Sequence, residues 1–287
     1  MNNILVTGST GQLGSDVVKE LLKRGYSTLS PNRSELNLCS EDNIRNYILN
    51  SNCEAIVHCA AYTQVDKAED EKDLCIKINA TATKHIAKCA KILDIPMIYI
   101  STDYVFNGEG ERPWQPDDTV TIPLNEYGYS KYLGEQAVQK YVKDFYIVRI
   151  AWVFGINGKN FVKTMLNVGK NHDTVRVVND QIGTPTYTFD LARLLVDMIE
   201  TDKYGIYHGT NEGGYISWYD FTCEIYRQAG YTTNVVPVTT EEYGLSKAKR
   251  PKNSRLDKSK LVDNGFKPLP DWKDALARYI EILNKEN

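Results

Sequence analysis

The segment Val6-Thr7-Gly8-Ser9-Thr10-Gly11-Gln12-Leu13-Gly14-Ser15 restricts the fold more than any other, because Gly8, Gly11 and Gly14 follow a short apolar run and open an amphipathic one. Strand, glycine turn and helix in that order are the context a dinucleotide-binding loop requires. Glycine lets the backbone approach a pyrophosphate, and the helix N-terminus offers free amides and a partial positive charge. Past this segment, short apolar runs at 27–29, 55–59, 97–101 and 145–149 alternate with helical patterns at 12–23, 40–50, 74–93 and from about 127. That alternation predicts βαβ units and a parallel sheet, with the first three strands arranged as a Rossmann half.

After residue 150 the texture changes. Glycines at 155 and 158 interrupt the chain, a helix is expected around 161–168, and a short strand at 175–178 precedes the loop QIGTPT. Amphipathic helices follow at 188–199, 218–229 and 271–283, the last setting Trp272, Leu276, Tyr279 and Leu283 along one stripe. The predicted class is α/β: a Rossmann-type doubly wound parallel sheet with a smaller, mainly helical C-terminal substrate-binding lobe. Residues 1–150 form the dinucleotide-binding domain and 151–287 mainly the lobe, with later segments able to return to the sheet. A chain of 287 residues is long enough for such a division.

Composition excludes several functions. No stretch approaches the roughly 18 apolar residues of a membrane span, and MNNILVTG runs directly into the first strand, which predicts a cytoplasmic location. A net charge of −3 and a pI near 5.9 give no nucleic-acid footprint. The basic run from Lys247 to Arg255, KAKRPKNSR, is the one candidate for holding an anionic ligand. Cys39, Cys53, Cys59, Cys75, Cys89 and Cys223 lack the close paired spacing of zinc or redox sites and read as reduced thiols. His58, His85, His172 and His208 have no partners at ligand spacing, so no metal site and no Ser-His-Asp triad is predicted.

Tyr127 and Lys131 carry the chemistry. They stand four residues apart in PLNEYGYSKYLGEQ, on one helical face, about 25 residues after Ser101-Thr102-Asp103-Tyr104. A tyrosine hydroxyl has a reference pKa of about 10, and a neighbouring ammonium is expected to lower it, making Tyr127 a usable proton donor. Tyr243 and Lys247 repeat the spacing without a preceding strand that ends in Ser or Thr, and read as surface. Thr102 leaves the fourth strand at the carboxyl edge, where open α/β sheets bind ligands, and can hydrogen-bond a substrate carbonyl; a hydroxyl satisfied by turn backbone is the alternative. In LSPNR no carboxylate appears before Glu35 and Arg33 stands where a 2′-phosphate could meet it, so NADPH is preferred over NADH, against the alternative of a solvated loop charge. The small residues of CAAYTQVD, from Cys59 to Asp66, suit a close pass by a flat cofactor or plain core packing.

The segments TGSTGQLG, CAAYTQVDKAED, STDYVFNG, PLNEYGYSKYLGE, RIAWVFG, NFVKTML, VVNDQIGTPT and KRPKNSRL together resemble the extended short-chain dehydrogenase/reductase family, most closely its dTDP-4-dehydrorhamnose reductase branch, over nearly the full length. The resemblance implies hydride transfer from NADPH or NADH to the C4 ketone of dTDP-4-dehydro-L-rhamnose, giving dTDP-L-rhamnose, with Thr102, Tyr127 and Lys131 as the catalytic triad. It implies cofactor contacts from Gly8, Thr10, Gly11, Gln12, Leu13, Gly14, Arg33, Asn37, Leu38, Ala60, Ala61, Tyr62, Thr63, Tyr127 and Lys131. Thr102, Asp103, Tyr104, Trp152, Asn160 and Arg250 would face the nucleotide sugar, Arg250 on the diphosphate. No nucleic acid, membrane or metal partner is implied, and a homodimer remains open beside a monomer. Tyr62, Asn37 and Asn107 depart from the His, Asp and Asp usual in the family, and Gly244 and Leu245 replace a proline-rich approach to the basic run. Two rivals share the scaffold: a nucleotide-sugar epimerase or dehydratase, disfavoured because Tyr104 follows Asp103 where a dehydratase needs a second carboxylate, and a non-catalytic NADP-binding regulatory subunit, disfavoured by Thr102, Tyr127 and Lys131.

Overall fold

A computed structural model describes residues 3–286. The first half runs β1 (Asn3–Thr7), α1 (Gln12–Lys23), β2 (Ser27–Leu29), α2 (Glu41–Leu49), β3 (Ala55–His58), α3 (Val65–Ala68), α4 (Lys72–Ile76), a π-helical turn (Lys77–Thr81), α5 (Ala82–Leu93), β4 (Met97–Thr102), α6 (Glu126–Tyr141) and β5 (Phe145–Ile150). The single helix expected over 74–93 is therefore divided, with the π turn placed at the buried Asn79. Polar side chains start the helices where backbone amides would otherwise be orphaned. Ser40 accepts from the Asn43 amide at 3.2 Å and Asn125 from the Gly128 amide at 2.8 Å.

Six parallel strands form the main sheet in the order β10-β5-β4-β3-β1-β2, where β10 is Gly205–His208. Strand alternation sends Ile4 and Val6 to one face, against Leu13, Val17 and Leu21 of α1 and Leu191, Leu194 and Leu195 of α8 (Thr188–Ile199). Leu5 points to the opposite face, with Ile44, Ile48, Ile86 and Val138 of α2, α5 and α6. Helices thus cover both faces, as a doubly wound sheet requires. One detail differs from the expected Rossmann half: β3 pairs with β1 on the side away from β2. The three-residue β2 is followed by an irregular loop rather than another strand, and α2 carries the chain back across β1. The winding therefore reverses between β1 and β3, at the kind of switch point where these sheets take ligands.

Beyond β5 come β6 (Val153–Phe154), α7 (Phe161–Asn171), β7 (Thr174–Val178), β8 (Ile182–Gly183) and β9 (Thr186–Tyr187). After α8 and β10 follow β11 (Ile216–Ser217), α9 (Trp218–Ala229), β12 (Asn234–Val238), α10 (Thr240–Tyr243), α11 (Ser259–Asp263) and α12 (Trp272–Glu286). Short two-stranded pairs, β7 with β12, β8 with β11 and β6 with β9, join these helices into a lobe. Its own core contains Phe154, Val162, Phe221, Ile225, Trp272, Leu276 and Tyr279. Segment 188–208 returns to the main sheet, α8 packing on α1 and β10 forming the edge strand beside β5.

Candidate active site

The turn after β1 is built for close approach. Gly8 has φ +67°, and a β-carbon on it would lie 2.8 Å from the Ala60 backbone; one on Gly14 would lie 2.2 Å from the Gly8 carbonyl oxygen. The Ala60 amide donates to Thr7 Oγ1 at 3.2 Å, and the same oxygen is 2.7 Å from His58 Nδ1, which ties the ends of β1 and β3 together. Gly11 caps α1 without a side chain, so the first helical amides have no side-chain cap, beside exposed Thr10. Leu13 instead anchors the turn in the core. A pyrophosphate fits this cradle on both counts, helical amides without a side-chain cap and absence of side chains. Ala60, Ala61 and exposed Thr63 continue from β3 past the turn, and buried Tyr62 is pinned by its amide to Asn79 Oδ1 at 2.8 Å and by its hydroxyl to Glu71 at 2.7 Å. Arg33 and Asn37 are exposed on the loop after β2; Asn37 accepts from the Cys39 amide at 2.9 Å, while Leu38 packs on the core.

Thr102 ends β4, level with Ile150 of β5, and the chain turns immediately into Asp103 and Tyr104. The Thr102 hydroxyl donates to Asp103 Oδ1 at 2.9 Å and accepts from the Tyr104 amide at 3.2 Å. Ser254, from far along the chain, donates to the other Asp103 oxygen. Burial raises the Asp103 carboxyl to about 6 despite these hydrogen bonds. Asp103 is thus occupied on both oxygens by protein hydroxyls, and the Thr102 proton is directed at Asp103.

Helix α6 brings Tyr127 and Lys131 to this edge. The Tyr127 ring meets Tyr104 edge-on with centroids 5.6 Å apart. Burial pushes its phenol well up, the Asp103 carboxylate adds to the rise, and a hydrogen bond with Thr102 opposes it. The expected lowering of Tyr127 by Lys131 is not found: burial dominates at both groups, and it pulls Lys131 down to about 7. The ammonium lies over the ring of Tyr99, 4.1 Å from its centroid. Among the described residues it donates to no oxygen, which leaves a buried cation open to hydroxyls of a bound ribose. This open donor and the glycine cradle are the features that fit a dinucleotide.

Of the residues expected at the nucleotide sugar, Arg250 donates to the Tyr104 hydroxyl at 3.2 Å and to Asp66 at 2.5 Å. Trp152 has φ +51°, a region bulky side chains rarely adopt, and stacks on Trp218 with centroids 3.7 Å apart. Such strain persists where the surroundings over-determine it, commonly at binding sites. Asn160 is committed elsewhere: its side chain caps α7 and donates to Gln12, Gly155 and Tyr279 at 3.1, 2.8 and 2.9 Å, which places it behind the glycine turn. Several residues escaped the sequence reading. Ser254, Asp66, Tyr99, Trp218 and the buried pair of Glu135 and Arg149 give no local pattern, except that Glu135 follows Lys131 at helical spacing. Arg149 holds Glu135 through two hydrogen bonds of 2.9 and 2.8 Å beneath the site.

Residues 1–285 match the family model described as RmlD substrate binding domain. The chain is 38% identical to the spore coat polysaccharide biosynthesis protein SpsK of Bacillus subtilis over 98% of either chain. It is 37% identical to the dTDP-4-dehydrorhamnose reductase of Streptomyces griseus, covering 97% of this chain and 93% of that one. The crystal structure of dTDP-4-dehydrorhamnose reductase from Bacillus anthracis in complex with NADP superposes with a TM-score of 0.93 at 38% identity, over 98% of this chain and 99% of that one. A full-length match of this kind, on a fold with the glycine turn facing a Thr-Tyr-Lys edge, places the chain in the RmlD substrate binding domain family, the dTDP-4-dehydrorhamnose reductases of the extended short-chain dehydrogenase/reductase class.

Proposed function

We propose that this chain is an NADPH-dependent reductase that converts dTDP-4-dehydro-L-rhamnose to dTDP-L-rhamnose in nucleotide-sugar biosynthesis. The observation carrying the reading is the juxtaposition of Thr102, Tyr127 and a buried Lys131 ammonium that donates to no oxygen among the described residues, at the carboxyl edge of a sheet whose glycine turn fits a pyrophosphate. Full-length similarity to reductases of that name, one of them solved with NADP, supports the substrate and cofactor.

When bound, the reduced nicotinamide supplies the hydride to C4 of the sugar. Tyr127 gives its hydroxyl proton to the C4 oxygen as negative charge develops there. Thr102 lies within hydrogen-bonding reach of the Tyr127 hydroxyl and orients it. Lys131, whose ammonium lies over the ring of Tyr99, holds ribose hydroxyls. Arg250 meets the diphosphate with the N–H groups left over from Tyr104 and Asp66, and the indole of Trp152 walls the sugar.

Replacing Tyr127 by Phe should cut the turnover of NADPH with dTDP-4-dehydro-L-rhamnose by about 10²–10⁴-fold, while fluorescence titration finds NADPH binding nearly unchanged. Unaltered turnover would refute the proton-donor role. Arg33 is read as the partner of a 2′-phosphate, so kcat/KM should be higher with NADPH than with NADH, and Arg33→Ala should narrow the ratio by about tenfold. A preference for NADH in the parent protein would overturn that assignment.

A further inference from the structure

Lys131 is only 3% exposed, and a buried ammonium needs something to replace water. Several titratable groups face it, and none supplies an uncommitted anion. At the end of β3, His58 is held neutral by burial, lowered to about 3, and the Cys59 thiol is pushed up to about 12. The Cys75 thiol of α4 is raised by burial and shares a contact with Ser130. On α6 itself, the Tyr127 phenol is raised, and Glu135 is bound by Arg149 and Ser101. What the ammonium does meet is an aromatic face, that of Tyr99 on β4, at 4.1 Å.

The ring is fixed from several directions. Its hydroxyl shares its one proton between the carbonyls of Asn79 and of Lys131 itself, both at 3.3 Å. Gly134, on the next turn of α6, makes the approach feasible, since a β-carbon there would lie 2.2 Å from the Tyr99 oxygen. His58 stacks beside the ring with centroids 5.7 Å apart. The carbonyl of the lysine residue and the face beneath its ammonium are therefore held by one side chain.

We infer that Tyr99 is a positioning residue for Lys131: its electron-rich face stands in for an anion and keeps the ammonium both charged and aimed. A desolvated cation over an aromatic ring gains substantially from the ring quadrupole. The effect matters because burial leaves Lys131 near 7, where a modest bias decides the charged fraction at neutral pH. The consequence for turnover rests on the catalytic reading of Lys131 given above; the contact itself does not.

The experiment compares the full-length protein with Tyr99→Phe and with fluorinated phenylalanines placed at position 99, which keep the ring shape and drain its face. Carbon NMR of lysine-labelled, cofactor-free protein gives the titration midpoint of Lys131, assigned by the signal lost in Lys131→Met. The face favours the charged form, so weakening it lowers the midpoint. Tyr99→Phe should stay close to the parent, and full fluorination should lower the midpoint by about one pH unit relative to Phe. The alkaline limb of NADPH turnover should move in the same direction. Equal midpoints for phenylalanine and its fluorinated forms, or a rise, would overturn the inference. Turnover retained in Lys131→Met would instead defeat the catalytic reading, with the NMR midpoints still judging Tyr99.

Discussion

At the scale of single residues, Asp103 is the most consequential side chain beside Thr102, Tyr127 and Lys131. Both its oxygens accept protein hydroxyls, from Thr102 and Ser254, yet burial still raises it to about 6. A carboxyl raised on folding holds a proton that the unfolded chain has already released. Its contribution to stability is full below the ordinary value of about 3.9 and is lost as the pH climbs to about 6. Asp103→Asn, a neutral near-isostere whose amide can meet the same rotating hydroxyls, should therefore stabilise the fold by about 1–2 kcal/mol near pH 8 and by almost nothing near pH 4. Denaturant melts at both pH values would show it, and equal effects at the two would contradict the buried charge. The pair Tyr127 and Lys131 was legible because helical spacing places two such residues on one face. Their protonation was not, because Tyr127 and Lys131 each titrate according to how much water the complete fold removes.

The element that most needed the structure is the segment from Lys247 to Leu256. The sequence marks it as a basic run that resembles the family's, with Arg250 implied at the diphosphate, but does not show that several of its residues are tied to the first half of the chain. Lys247 pairs with Asp70, the Ala248 amide and the Arg250 guanidinium meet the two oxygens of Asp66, and Asn125 at the start of α6 donates to the Lys249 carbonyl at 2.9 Å. The Asn253 amide donates to the Gly108 carbonyl at 2.9 Å. Asp66 thus orients Arg250 and fixes the backbone two residues before it. Asp66 is about half exposed, so solvent screens the pair, and Asp66→Asn should cost only about 0.5–1 kcal/mol. Its larger effect should be a raised KM for the nucleotide sugar with kcat and NADPH affinity little changed, read from initial rates. A lowered KM would mean that Asp66 competes with the ligand for Arg250. The glycine turn, by contrast, was readable from its residues, since Gly8 and Gly14 occupy places where a β-carbon would strike backbone. The π turn inside 74–93 was not, because it answers to the hydrogen bonds of Asn79 with Tyr62 and Ser130, 17 and 51 residues away.

For the whole molecule, local periodicity was sufficient for the parallel sheet and its helices. It was insufficient for the strand order, where β3 crosses to the far side of β1, and for which of the later segments return to the sheet, namely α8 and β10. Both depend on which partner a strand finds, and neither Ser27–Leu29 nor Gly205–His208 carries that information in so few residues. The division into a sheet and a lobe is correspondingly incomplete: Asp103 and Ser254, 151 positions apart, share one hydrogen bond at the centre of the site.

That last arrangement bears on how the protein is made. Ribosomes deliver the amino end first, so the glycine turn emerges before the residues of the lobe, whereas β5 keeps an uncovered edge until residues 205–208 arrive. A nascent chain halted anywhere before the codon for Ser254 would carry a half-walled cleft with the carboxylate of Asp103 missing its second donor.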